Sequence, residues 1–231
     1  MSDIFREVDE DLQRKQMKRL WDRYGYYVIA SAVLIVVLTA GYKGWQSYKA
    51  SVAATQGDAF LTAVERSESG DTAAAKADFD TLIADGSAGY ALLAKFRAAS
   101  DLAASGDREA ALAAFEGLSR DKALEPFQRD LARIRAAYLA VDLEDFDAMN
   151  ARVSDLAASA NPLRFSAREI LGLSAWKAEK LEAARARFVS LRDDSETPAE
   201  LRQRAEFMLS LLQSRMPADA AAPDAAATKT Q

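Results

Sequence analysis

The sequence predicts an all-α protein with one transmembrane helix near its N-terminus, followed by a solenoid of stacked helical hairpins. Three observations predict it. The nineteen-residue stretch from Tyr24 to Tyr42 contains no charged side chain. Beyond it alanine is abundant, Gly and Pro are scarce, and no segment alternates apolar and polar residues as a half-buried strand would. A small-x-x-x-large pattern then recurs at spacings of 36, 38 and 35 residues.

The uncharged stretch comes first. At about 1.5 Å per residue it reaches ~28 Å, close to the ~30 Å hydrocarbon thickness of a bilayer. It is apolar all round, whereas a surface helix of a globular core keeps a polar face. Trp21, Tyr24, Tyr26 and Tyr27 mark one end, and Tyr42, Trp45 and Tyr48 the other, as in interfacial aromatic belts. Arg14, Lys15, Lys18, Arg19 and Arg23 precede it, while only Lys43 and Lys49 follow in the comparable window. That Lys/Arg bias keeps the N-terminus in the cytoplasm and exports the remainder. A cleaved signal peptide is the alternative, but the run exceeds the ~7–15 apolar residues of such peptides.

The expected organisation is a cytoplasmic leader (1–23), a signal anchor (24–45), an exported domain (46–215) and a disordered tail (216–231). The tail is Ala/Pro-rich and too poor in large apolar side chains to order itself. In the leader, Ile4, Phe5, Val8, Leu12 and Leu20 recur at roughly helical spacing opposite a charged face. They read as an amphipathic helix against the membrane or a partner, or as a solvated flank. Six basic against six acidic leader residues favour a protein partner over lipid. Ala40 and Gly44 form a small-xxx-small pair at the outer end of the span.

Composition excludes several functions. The residues after Lys43 carry a net charge of −6, which argues against nucleic acid as a ligand. Cysteine and histidine are both absent. Disulfides, Ser-His-Asp and Cys-His nucleophiles, His-containing zinc sites and His-ligated haem are therefore closed to this chain. Asp142, Glu144 and Asp145 form the densest exported acidic cluster and would be the candidates for a carboxylate-pair hydrolase of envelope glycans. A turn solvated by carboxylates explains them more simply. No catalytic residue, metal or cofactor is expected.

The exported region reads as helix after helix. Pro126, Pro162 and Pro198 each sit where a helix should begin. Thr197 and Glu200 have the spacing of a capping box, and Asn161 reads as an N-cap. Ser-Gly-Asp at 69–71 and 105–107 reads as a break in which Gly ends one helix and Asp71 or Asp107 caps the next. The repeated pattern opens each second helix: Ala75…Phe79, Ala111…Phe115, Met149…Val153 and Ala184…Phe188, with Leu82, Leu118, Leu156 and Leu191 following. A small residue at a helix crossing lets two helices approach, and the large one beside it fills the groove. One hairpin cannot bury its apolar face alone, so neighbours must stack. The last helix, about 198–215, would cap the array with Leu201, Phe207, Met208, Leu211 and Leu212 inward.

This pattern and period resemble the tetratricopeptide repeat. Leu171-Gly172 matches that repeat's Leu-Gly pair, while Ala98-Ala99 and Ala136-Ala137 stand in its place elsewhere. Lys95, Arg133 and Arg168 occupy the early Trp position, and Pro126, Pro162 and Pro198 approximate the closing Pro. The leader IFREVDEDL (4–12), then KRLWDRYGYYVI (18–29), one span and a tetratricopeptide-like domain together look like the YfgM-type family. That resemblance implies a single-pass protein of the bacterial inner membrane, ancillary to the SecYEG translocon. It would link the translocon to a periplasmic chaperone and to exported client proteins, with no enzymatic residues. Scaffolds of envelope assembly or cell division share the architecture.

In tetratricopeptide arrays the first helices line a groove, which here would hold Leu93, Phe96, Leu131, Ile134, Tyr138, Leu173 and Trp176. Of these Tyr138 and Trp176 are the preferred contacts, being large amphipathic aromatics. For any one of these residues, packed core between stacked hairpins is the simpler reading.

Overall fold

A computed structural model describes residues 3–158 and 160–215, with first-helix side chains at Lys18 and from Trp21 onward, save Val28. The apolar leader positions Ile4, Phe5, Val8, Leu12 and Leu20, as side chains, and the expected tail 216–231 lie outside the described residues. Among the described residues every regular element is helical. In order they are α1 (Asp3–Glu68), α2 (Thr72–Asp85), α3 (Ala88–Ala104), α4 (Arg108–Arg120), α5 (Pro126–Ala140) and α6 (Phe146–Val153). A 3-10 turn (Asp155–Ala157), α7 (Arg164–Lys177), α8 (Leu181–Asp193) and α9 (Ala199–Arg215) complete them. The chain divides into two compact units, Met1–Leu61 and Thr62–Gln231.

The first unit holds one helix long and apolar enough to cross a membrane. Its large side chains point outward, with Tyr26, Ile35, Val36 and Leu38 all exposed. The hydroxyls of Ser31 and Thr39 donate to the carbonyls of Tyr27 and Ile35, each at 2.7 Å, so both are satisfied within the helix. The aromatic ends carry cations: the Lys49 ammonium lies 3.9 Å from the Trp45 ring centre, and the Arg23 guanidinium 5.8 Å from that of Tyr24.

The second unit is built on the repeated pattern. All twelve residues of its four copies are buried, none more than 6% exposed. Ala111 and Phe115 lie on α4, and Phe115 packs with Ala99 of α3 and Ala132 and Ala136 of α5. Met149, Val153 and Leu156 meet Ala137, Ala140, Ala167 and Ile170 in the next core. Ala184, Phe188 and Leu191 meet Phe165, Ala175, Ala205 and Leu212 in the last. In these three copies the large side chain therefore bridges its own hairpin and the next helix, and each buried Phe contributes on the order of 2–3 kcal/mol.

Local chemistry sets the turns. Gly70 and Gly106 adopt φ of 89° and 92°, and Asp71 and Asp107 accept from the amides of Ala74 and Ala110 at 3.3 and 3.1 Å. Asp145 caps α6 likewise, accepting from Ala148 at 2.8 Å. Three boundary expectations are corrected. The Thr197 hydroxyl is buried and makes no hydrogen bond, so the capping box at 197–200 is not formed. Asn161 accepts from the amide of Leu163 at 2.8 Å, and this side-chain turn delays α7 to Arg164, two residues after Pro162. Only Pro126 is a first helical residue, since Pro198 lies just before α9.

The last helix ends the array by changing one face. Ala167, Ile170 and Leu171 of α7 pack toward the preceding hairpin, and α9 repeats them 38 residues later as Ala205, Met208 and Leu209. Phe165 and Ala175, which pack with α8, correspond to Gln203 and Gln213, both exposed. A polar outer face is what a terminal repeat requires. Phe207 and Leu211 are not inward as expected, being 63% and 36% exposed; they sit about a quarter-turn off the stripe of Leu201, Ala205, Met208 and Leu212.

Candidate interaction face

The first helices of successive hairpins are joined side by side through a polar network. The Tyr138 hydroxyl on α5 donates to Glu169 Oε2 on α7 at 2.6 Å. Arg204 on α9 donates to the same carboxylate twice, from Nε to Oε1 at 2.6 Å and from Nη2 to Oε2 at 2.9 Å. Glu169 is only 5% exposed, and this fork and phenol compensate its buried charge. Burial, then the Glu169 carboxylate, push the Tyr138 phenol well above its ordinary value of 10.0. Because Tyr138 and Arg204 both reach Glu169, their helices present these positions to one common face.

That face sorts the expected contact residues. Ile134 is core, 3% exposed, and unreachable by a partner. Phe96 is half-buried against Phe115, ring centres 5.8 Å apart. Tyr138 is half-buried against the middle core, and Leu173 and Trp176 against the last one. Leu131 is also half-buried, while Leu93 is 50% exposed. Trp176 is covered on one side by the Arg215 guanidinium, 4.7 Å from its ring centre. Phe207 and Leu211 were missed as surface residues. The discriminating signal was the register of α9: with Ala205 and Leu212 on the buried stripe, Phe207 falls beside it.

The acidic cluster has structural partners instead of a shared site. Asp145 caps α6, Glu144 pairs with Arg152, and Asp142 lies 3.5 Å from Arg108. Lys177 Nζ donates to the carbonyls of Val141, Asp142 and Glu144 at 3.1, 2.7 and 3.1 Å, closing the C-terminal end of α5. Arg152 also reaches Glu116 on α4 at 2.9 Å, tying two second helices together. Among the described residues no group of carboxylates is placed to hold a metal ion.

A family model for a tetratricopeptide repeat-like domain matches residues 18–214, which takes in both the apolar stretch and the whole array. No curated protein and no solved structure matches the chain. The match agrees with the buried Ala/Phe/Leu pattern, the Gly-Asp breaks and the polar-faced last helix. The chain belongs to the tetratricopeptide repeat-like family.

Proposed function

We propose that this protein is a membrane-anchored interaction scaffold, held by the apolar part of α1 and binding partner polypeptides on the face of α3, α5, α7 and α9. The observation that carries the reading is that one chain joins an exposed helix with an uncharged stretch from Tyr24 to Tyr42 to a repeat array that leaves Leu93, Phe207 and Leu211 open. Tetratricopeptide-like arrays mediate protein–protein contacts, and helical faces of this kind take extended or helical segments. The greater number of Lys and Arg before the apolar stretch than after it supports a cytoplasmic N-terminus and an exported array in the bacterial inner membrane. The leader and architecture support a place beside the SecYEG translocon, handing exported clients to a periplasmic chaperone.

In-cell photocrosslinking tests this. Photoreactive residues at Ala32, Leu93 and Phe207 report on the span and on two exposed points of the face. Translocon subunits are expected at Ala32, and a periplasmic chaperone or exported client at Leu93 or Phe207. Lipid alone at Ala32 together with silence at both face positions removes the scaffold reading. The chain has no cysteine, so a Ser214→Cys variant also reports topology cleanly. A membrane-impermeant maleimide should label it in cells with permeabilised outer membranes, while Lys15→Cys stays unlabelled.

A further inference from the structure

We infer that the α5–α7–α9 face takes an acidic partner segment, one in which carboxylates alternate with large apolar side chains. This rests on the scaffold reading above and names the chemistry of its partner. The residues after Lys43 are net negative, yet among the described residues the charges free on this face are cationic apart from Glu200 at its edge.

Arg135, one turn before Tyr138 on α5, is exposed, and no carboxylate pairs with it among the described residues. Arg215 stacks on Trp176 and likewise has no carboxylate partner among the described residues. Arg204 is half-exposed, its side chain 55% accessible, although it holds Glu169. The acids nearest the face are engaged elsewhere. Glu169 is buried under Tyr138 and Arg204, Asp142 turns to Arg108, and Asp101 on α3 is bound by Arg97 at 2.8 Å. Glu200 remains at the N-terminal edge, one turn before Arg204. Between these cations Phe207 and Leu211 stand open one turn apart on α9. An apolar pair flanked by guanidiniums selects a segment that supplies both apolar anchors and carboxylates, which guanidinium groups bind with bidentate geometry. A basic segment would meet uncompensated like charge.

The test uses the full chain in nonionic detergent micelles and fluorescent peptides of equal length. Three peptides repeat Glu-Leu-Glu-Phe, Lys-Leu-Lys-Phe or Ser-Leu-Ser-Phe, with binding read by anisotropy. The Glu peptide should bind about tenfold or more tighter than the Lys peptide, and its affinity should fall as salt is raised. Arg135→Glu combined with Arg215→Glu should abolish that preference, and Phe207→Ala with Leu211→Ala should weaken the Glu peptide about tenfold. Arg187→Glu on α8, off this face, should leave binding unchanged. Circular dichroism confirms that each variant keeps its helices, and Arg135→Lys should retain the preference for the Glu peptide. Equal binding of the Glu and Lys peptides, or binding indifferent to the face variants, overturns the inference. If Phe207 crosslinks a partner in cells while the Glu peptide has no advantage, the scaffold reading stands and the acidic partner falls.

Discussion

Gly172 is where two parts of the repeat meet. A Cβ at this position would lie 2.8 Å from Cζ of Phe188, so glycine on α7 is what allows the large residue of α8 to close over it. This gives the Leu171-Gly172 pair its physical cause. Gly117 on α4 is the contrasting case, since a Cβ there meets nothing within 4 Å. Gly172→Ala should destabilise the domain by about 1 kcal/mol, overpacking of roughly 1–3 kcal/mol being partly offset by alanine's helix propensity. Gly117→Ala should stabilise it by about 1 kcal/mol, because only propensity changes. Urea midpoints read both, and a higher midpoint for Gly172→Ala would show that Phe188 moves aside freely. Sequence alone marked Gly172 as special through its motif and left Gly117 unremarked; only the facing ring separates them.

At the scale of elements, two of the four turns before the second helices share one design. Gly70 and Gly106 take left-handed backbone, each followed by a capping Asp, but the α7–α8 turn places Glu179 at φ 57° and has Lys180 in the cap position without a side-chain cap. A non-glycine residue there costs about 1–2 kcal/mol, offset in part by the entropy glycine loses on folding. Glu179→Gly should therefore stabilise the array by roughly 0.5–1 kcal/mol, read as a higher urea midpoint. An unchanged or lower midpoint would mean that the glutamate carries a compensating contact. The Ser-Gly-Asp breaks were readable because the chemistry of a left-handed residue and a capping carboxylate is local. The starts of α7 and α9 were not. Asn161 turned inward on its own loop, and the Thr197 hydroxyl was buried at the α8–α9 connection, where Arg202 Nη2 instead donates to the carbonyls of Asp194, Ser195 and Thr197.

At the scale of the array, each hairpin depends on its neighbours, and the Tyr138–Glu169–Arg204 network joins three of the first-helix layers. Its phenol is held neutral in the fold at a pH where an exposed tyrosine would ionise. Tyr138 has a raised folded value, so its contribution is fully present below the unfolded value of 10.0 and is lost as pH rises beyond it. Stability should therefore fall more steeply above pH 10.0 in the native chain than in Tyr138→Phe, which has no proton to lose there. Thermal melts across the alkaline range provide the comparison, and parallel curves would show that the phenol is not coupled to stacking. At neutral pH the same variant leaves Glu169 one donor short, a cost of about 1–3 kcal/mol for a buried acceptor.

The helical class, the four-fold Ala/Phe/Leu pattern, the Gly-Asp breaks and the apolar stretch were determined by the sequence itself. Each rests on periodicity or on chemistry within a few residues, and all twelve pattern side chains proved buried. Tertiary structure decided which apolar residues of the first helices are core and which are surface. Ile134 and Phe207 both read as apolar positions on a helix, yet Ile134 lies beneath the next hairpin and Phe207 lies on the last helix, beside its buried stripe. Composition gave a net-negative charge after Lys43, but stacking alone set Tyr138, Glu169 and Arg204 against one another and left Arg135 and Arg215 without acids among the described residues. Such pairings cross ~30 residues of sequence, as between Tyr138 and Glu169, and depend on the lateral register of helices, which no local pattern encodes.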